Sequence, residues 1–207
     1  MCNWVGAMWV YAVYRMHGPN VFSVRQVREK YLVNGNDVFW TFMDLEKAYD
    51  SIDRQDMWQM LGVYGVVGKL LNAVQSFYVE CRACVRVRND VSKQFPVIVG
   101  LRQCCVMSPW LYNVHMDNVV REVNVVVLGK GLQLLSADGG KFEIKQLLFE
   151  DDTALVADSE KKLCRLVSKF GRVCERRKLR VNVAGKSKVM RCSWYGNGGR
   201  VHVILNS

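Results

Sequence analysis

Two acidic signals, far apart in the chain, each close an apolar run. Asp44 and Glu46 follow Val38–Met43, and Glu150-Asp151-Asp152 follows Leu147-Leu148-Phe149. Carboxylates placed that way stand at the mouths of buried strands. An ionised carboxylate is costly to bury unless it is paired or bound to a cation. If the three aspartates converge they repel one another unless divalent cations, which favour hard oxygen donors, lie between them. That is the arrangement two-metal phosphoryl transfer requires, so the fold has to bring the ends of these two strands together.

The chain of 207 residues is long enough for one well-buried domain, and its 50% hydrophobic content excludes a disordered polymer. Its formal charge of +10 favours a polyanionic partner, nucleic acid above all. The distribution of that charge is more informative than its sum. Basic residues recur from Lys161 to Arg191 with Glu175 as the only acid among them, whereas a solvated helix face mixes both signs. The eight cysteines, in a chain with a core and no secretion signal, read as reduced thiols of an intracellular, reducing compartment. Cys81 and Cys84 have the spacing of a zinc half-site, but they fall in a strand-like segment and no second pair completes four ligands. The apolar start, Trp4 to Tyr14, is too short to span a bilayer and lacks the basic flank of a signal peptide, so no membrane partner is expected.

Periodicity predicts an α+β layout in one continuous domain. Residues 22–33 read as a helix, Asn34 to Asp37 as a turn, and Val38–Asp44 as a strand. Asp53 is placed as the N-cap of a helical stretch that Gly62, Gly65 and Gly68 break in two. Strands are expected around 82–88 and 95–99. Ser108-Pro109 reads as an N-cap followed by proline in the first turn of a helix running to about Val125. Residues 145–149 and 154–157 form the arms of a predicted hairpin with Glu150-Asp151-Asp152 at its tip. Ser159 then caps a helix that turns Leu163, Leu166, Val167, Phe170, Val173 and Cys174 inward, and two strands follow, about 180–184 and 188–193.

Four ordered motifs go beyond periodicity. Phe42-x-Asp44-x-x-x-Ala48-Tyr49-Asp50 resembles motif A of reverse transcriptases, particularly those of non-LTR retrotransposons and group II introns. Gly100 to Asn113, with Gln103, Ser108 and Pro109 in register, resembles motif B. Phe149-Glu150-Asp151-Asp152 resembles motif C, and Val181-Asn182-Val183 with Gly185-Lys186-Ser187-Lys188 looks like motif D. The resemblance implies the palm of a right-hand polymerase, an antiparallel sheet backed by helices, with partial fingers and no thumb. It covers residues 22–193, leaving a divergent segment at 1–21 and a tail at 194–207.

The same resemblance implies roles. Asp44 and Asp151 would hold two Mg²⁺ ions, with Mn²⁺ as a possible substitute, helped by the Leu45 carbonyl, and Asp152 would support them. Tyr49 matches the steric gate against a ribose 2′-hydroxyl, Gln103 would line the nucleotide pocket, and Lys186 would protonate pyrophosphate. The implied partners are an RNA template, a DNA primer and deoxynucleoside triphosphates. Two departures stand out: Cys104 replaces the glycine that normally follows the motif B glutamine, and Glu150 replaces the small residue before the motif C aspartates. Glycine allows close backbone approach, and an anion beside the triphosphate repels it. The expectation is therefore a truncated, drifting RNA-directed DNA polymerase with impaired activity. The alternative is a non-catalytic nucleic-acid-binding remnant.

Overall fold

The computed structural model of the chain describes residues 19–126, 131–135, 139–149, 152–182, 187–195 and 200–206. Helix α1 (Pro19–Val33) ends in a turn where Gly35, at φ +71°, donates to the Leu32 carbonyl. Glycine is the residue that adopts this left-handed helix terminator without strain. Strand β1 (Val38–Glu46) follows, then a single turn α2 (Ala48–Ser51), α3 (Arg54–Val63) and α4 (Gly68–Ser76). Asp53 caps α3 as the sequence predicts, its Oδ1 accepting from the backbone N–H groups of Gln55 (2.8 Å) and Asp56 (3.2 Å).

Four short strands come next: β2 (Arg82–Ala83), β3 (Arg86–Val87), β4 (Asp90–Val91) and β5 (Phe95–Pro96), paired β2 with β5 and β3 with β4. The expected strand at 95–99 stops at Pro96, and beyond it Arg54 takes the carbonyls of Val97 and Val99. Helix α5 (Ser108–Val126) begins at Ser108 itself. The Ser108 hydroxyl donates to the Arg102 carbonyl at 2.6 Å instead of acting as the expected cap acceptor. Then come β6 (Leu132–Leu135), β7 (Lys141–Ile144), β8 (Gln146–Phe149), β9 (Asp152–Ala157), α6 (Glu160–Arg176), β10 (Arg180–Val181), β11 (Lys188–Tyr195) and β12 (Arg200–Asn206). Ser159 stands at the N-cap of α6, but its side chain makes no capping bond. Residues 200–206, within the segment set apart as a tail, pair antiparallel along β11.

The main sheet runs β12-β11-β1-β9-β8, antiparallel throughout, with β10 added beside the end of β1. Strand side chains alternate between faces, and β1 divides its residues accordingly. Met43 and Leu45 join the core formed with α3, α5 and α6, which includes Leu61, Leu111, Leu166 and Phe170. Val38 and Trp40 join a second core under α1 and the β6–β7 hairpin, with Val24, Val27, Leu132 and Leu134. An α+β palm with helices backing an antiparallel sheet is thus what the chain forms.

The α6 layer is locked by a polar cluster. Arg177, just past the helix end, donates to Asp56 Oδ1 at 2.6 Å and to Glu122 Oε2 at 3.0 Å, tying α6 to α3 and α5. Among the described residues no helix is long and apolar enough to cross a membrane.

Candidate active site

The alternation that buries Trp40 also fixes where Asp44 lies. Asp44 shares the face of Trp40 and Phe42, and Asp152 on β9 shares the face of Ala154 and Val156. The β1–β9 register makes Asp44 and Asp152 direct cross-strand partners. Side chains in that relation stand roughly 5 Å apart at Cβ, so two carboxylates meet where both apolar runs end. The second core extends along this face to Phe42 and Leu147 and ends there. Asp44 is buried, with 8% of its surface exposed, and Asp152 is half-buried.

Asn182 supports Asp44 from the other side. Its backbone N–H donates to the Asp44 carbonyl at 2.8 Å, and its side-chain amide donates to Asp44 Oδ2 at 3.1 Å. The switch of β1 partners from β11 to β10 produces this contact, since β11 pairs only as far as Phe42 and β10 takes over at Leu45. The donor set is two carboxylates of hard oxygen, one steadied by an amide, and it suits a hard divalent ion. Asp151, Glu150 and Lys186, assigned from the sequence, lie outside the described residues.

The segment before α5 is folded back onto the end of β1. Gly100 N–H donates to the Ile52 carbonyl (2.9 Å) and Leu101 N–H to the Tyr49 carbonyl (2.8 Å). A Cβ on Gly100, which sits at φ +81°, would lie 2.7 Å from the Asp50 carbonyl oxygen, so glycine is required by both conformation and space. Arg54 clamps the segment from outside, donating to the carbonyls of Val97 (2.7 Å) and Gly100 (2.9 Å) while its guanidinium lies 5.0 Å over the Tyr78 ring.

Gln103 is brought to the site by this folding. Its amide donates to Asp50 Oδ1 at 2.9 Å, which fixes an exposed side chain beside the turn that follows Asp44. Tyr49 stacks on the fully buried Tyr112 ring of α5, with centroids 4.6 Å apart and planes 15° from parallel. Cys104 is exposed and adopts φ +58°, the left-handed region that disfavours a side chain. Beside it the Cys105 thiol is held below its usual range, chiefly by the Met107 backbone N–H and further by Ser108.

The structure pairs Asp44 with Asp152 across β1 and β9 and, in the segment after β1, joins Gln103 to Asp50 and Tyr49 to Tyr112. Sequence reasoning missed Asp50 as the partner of Gln103, Asn182 as the partner of Asp44, and Arg54 as the clamp. Asp50 and Asn182 lie inside motifs already singled out, which was the available signal.

Fold and site together define the palm of a polymerase. A family model described as reverse transcriptase (RNA-dependent DNA polymerase) matches residues 10–197, and the chain belongs to that family. Among solved structures, telomerase from Candida tropicalis in complex with a TWJ fragment of telomeric RNA is similar with a TM-score of 0.61 at 11% identity, over 85% of this chain and 30% of that one. Apo telomerase from the same organism, truncated from its C-terminal domain, gives a TM-score of 0.51 at 11% identity, over 92% of this chain and 40% of that one. At such identity the likeness is one of fold, and the chain spans well under half the length of either structure.

Proposed function

We propose that this chain is a reverse-transcriptase palm derived from a non-LTR retrotransposon, built for RNA-directed DNA polymerisation and slowed by Cys104 and Glu150. The observation that carries the reading is the cross-strand pairing of Asp44 with Asp152, and the bonding of Gln103 to Asp50 and stacking of Tyr49 on Tyr112 support it. Asp44 and Asp151 are the residues that would hold the divalent ions, and Asp152 would support them. When bound, two Mg²⁺ or Mn²⁺ ions supply the Lewis acidity that activates a primer 3′-hydroxyl and neutralises a triphosphate. The Asn182 amide keeps Asp44 oriented for that role. Tyr49, braced on Tyr112, would stand against a ribose 2′-hydroxyl, and Gln103, braced on Asp50, would line the nucleotide pocket. Lys186 would give a proton to the leaving pyrophosphate, a contribution typically worth about 10²–10⁴-fold. RNA template, DNA primer and deoxynucleoside triphosphates are the partners this requires.

Primer extension on an RNA template, with Mg²⁺ or Mn²⁺ and deoxynucleotides, tests the reading. Extension by the wild type that disappears in Asp44→Asn and in Asp151→Asn supports it. Absence of extension by folded protein that still binds primer-template would overturn it and leave the non-catalytic, nucleic-acid-binding remnant.

A further inference from the structure

Helix α6 buries Leu163, Leu166, Phe170, Val173 and Cys174 against the sheet and presents a line of cations on its outer side. Lys161, Arg165, Lys169 and Arg172 follow one another at spacings of four, four and three residues, which keeps them on one stripe of the helix. Lys161, Arg165 and Arg172 are exposed and Lys169 is half-buried. At 1.5 Å per residue the stripe is about 17 Å long. It borders an open groove that Ser159 and Ser168 also line.

Glu160 also lines this groove, while other acids of the chain pair with cations off the stripe. Lys162 pairs with Asp158, Arg176 and Arg177 with Glu122, Arg177 also with Asp56, Lys178 with Asp53, and Arg191 with Asp37. The four stripe cations form no ion pair among the described residues, and they repel one another along the helix. That repulsion is a standing cost which a polyanion laid along the groove would relieve. The stripe also belongs to the opposite side of the sheet from the carboxylates, because α6 packs on the face of Met43 and Leu45 whereas Asp44 lies on the face of Trp40. A segment of nucleic acid bound here is not the segment bound in the cleft.

We propose that the outer face of α6 is a second nucleic-acid-binding surface, which holds a single phosphodiester strand apart from the catalytic cleft. A single row of cations follows one backbone, whereas a duplex presents two backbones separated by grooves. Single-stranded RNA is the assigned occupant, a choice that rests on the proposed function, in which the RNA template is the strand that extends beyond the cleft. The serine hydroxyls beside the row are donors to phosphate oxygens.

Fluorescence anisotropy with labelled oligouridylate, at several salt concentrations, tests this on the full chain. The variant K161Q/R165Q/K169Q/R172Q keeps good helix formers at all four positions, and a control, K69Q/R82Q/R86Q/R88Q, removes the same charge from the exposed surface between α4 and β4. With about 0.7 counterions released per neutralised phosphate of a single strand, the salt slope in the α6 variant should fall by about 3 and affinity at low salt should drop at least tenfold, with the melting temperature retained. Equal losses in variant and control, or no loss in the α6 variant, would overturn the surface. An equal loss on duplex DNA would overturn the single-strand assignment. Protein that extends no primer yet loses RNA binding in the α6 variant fails the proposed function and keeps this surface.

Discussion

Replacing Cys104 by glycine should stabilise the chain, although it deletes a side chain and adds none. Cys104 sits at φ +58°, where Cβ crowds the following carbonyl at a cost of about 1–2 kcal/mol for an L residue. Its side chain is exposed, so little burial is lost with it. Against the relief stands the extra freedom of glycine in the unfolded chain, about 0.5–1 kcal/mol. The balance is a gain of about 0.5–1 kcal/mol, which for a chain of this size raises Tm by roughly 1–4 °C. Thermal unfolding followed by circular dichroism measures this directly. Cys104→Ala is the control, because it removes the thiol and keeps the Cβ, and it should gain nothing. A gain in Cys104→Ala equal to that in Cys104→Gly would refute the conformational argument and put the effect on the thiol. The same substitution should raise any primer extension the wild type shows, since it restores the close backbone approach that motif B glycine gives.

Two further outcomes follow from buried groups. Arg177→Met leaves Asp56 without its guanidinium and Glu122 with Arg176 alone, at sites only 21–22% exposed; the loss should be about 2 kcal/mol, less than for a fully buried pair because water reaches these carboxylates and Glu122 keeps one partner, and urea unfolding should show it as a lower midpoint. Burial pushes the His115 pKa below its ordinary value, with both ring nitrogens unbonded. The unfolded chain therefore binds a proton that the folded chain refuses, so stability holds above about pH 6.5 and falls below it by at most about 1.4 kcal/mol per pH unit. Asp56 opposes this shift and Arg177 adds to it. Asp53, held low chiefly by Lys178, adds a loss only in the carboxylate range. Melting curves between pH 7 and 5 should slope for the wild type and flatten in His115→Leu; parallel slopes would refute the assignment.

Much of the frame was legible because its signals are local. Helix α6 and the β8–β9 hairpin follow from periodicity, and the Asp53 cap from one side chain placed before a helical stripe. Ser159 stands at the N-cap position as expected but makes no capping bond, and Ser108 directs its hydroxyl to the Arg102 carbonyl six residues back, a partner set by the fold-back of the chain. The contacts that make the site are of another kind. Asn182 reaches Asp44 across 138 residues, Gln103 reaches Asp50 across 53, and Arg54 reaches Gly100 across 46. No periodicity encodes such pairs, because each depends on the sheet register and the fold-back before α5.

Cys104 joins the two kinds of information. By resemblance the position calls for glycine because the backbone there must approach a template. By geometry it calls for glycine because the backbone is left-handed with no template bound. The second reason is independent of catalysis, so the left-handed conformation at position 104 is held by the fold although a cysteine occupies it. The chain therefore stores strain at the motif B loop, beside Gly100, where a Cβ would meet the Asp50 backbone. The motif A turn and the motif B loop are thus held as one unit by Gly100, Arg54 and the Gln103–Asp50 bond. A cysteine at position 104 therefore need not loosen the scaffold that carries Asp44.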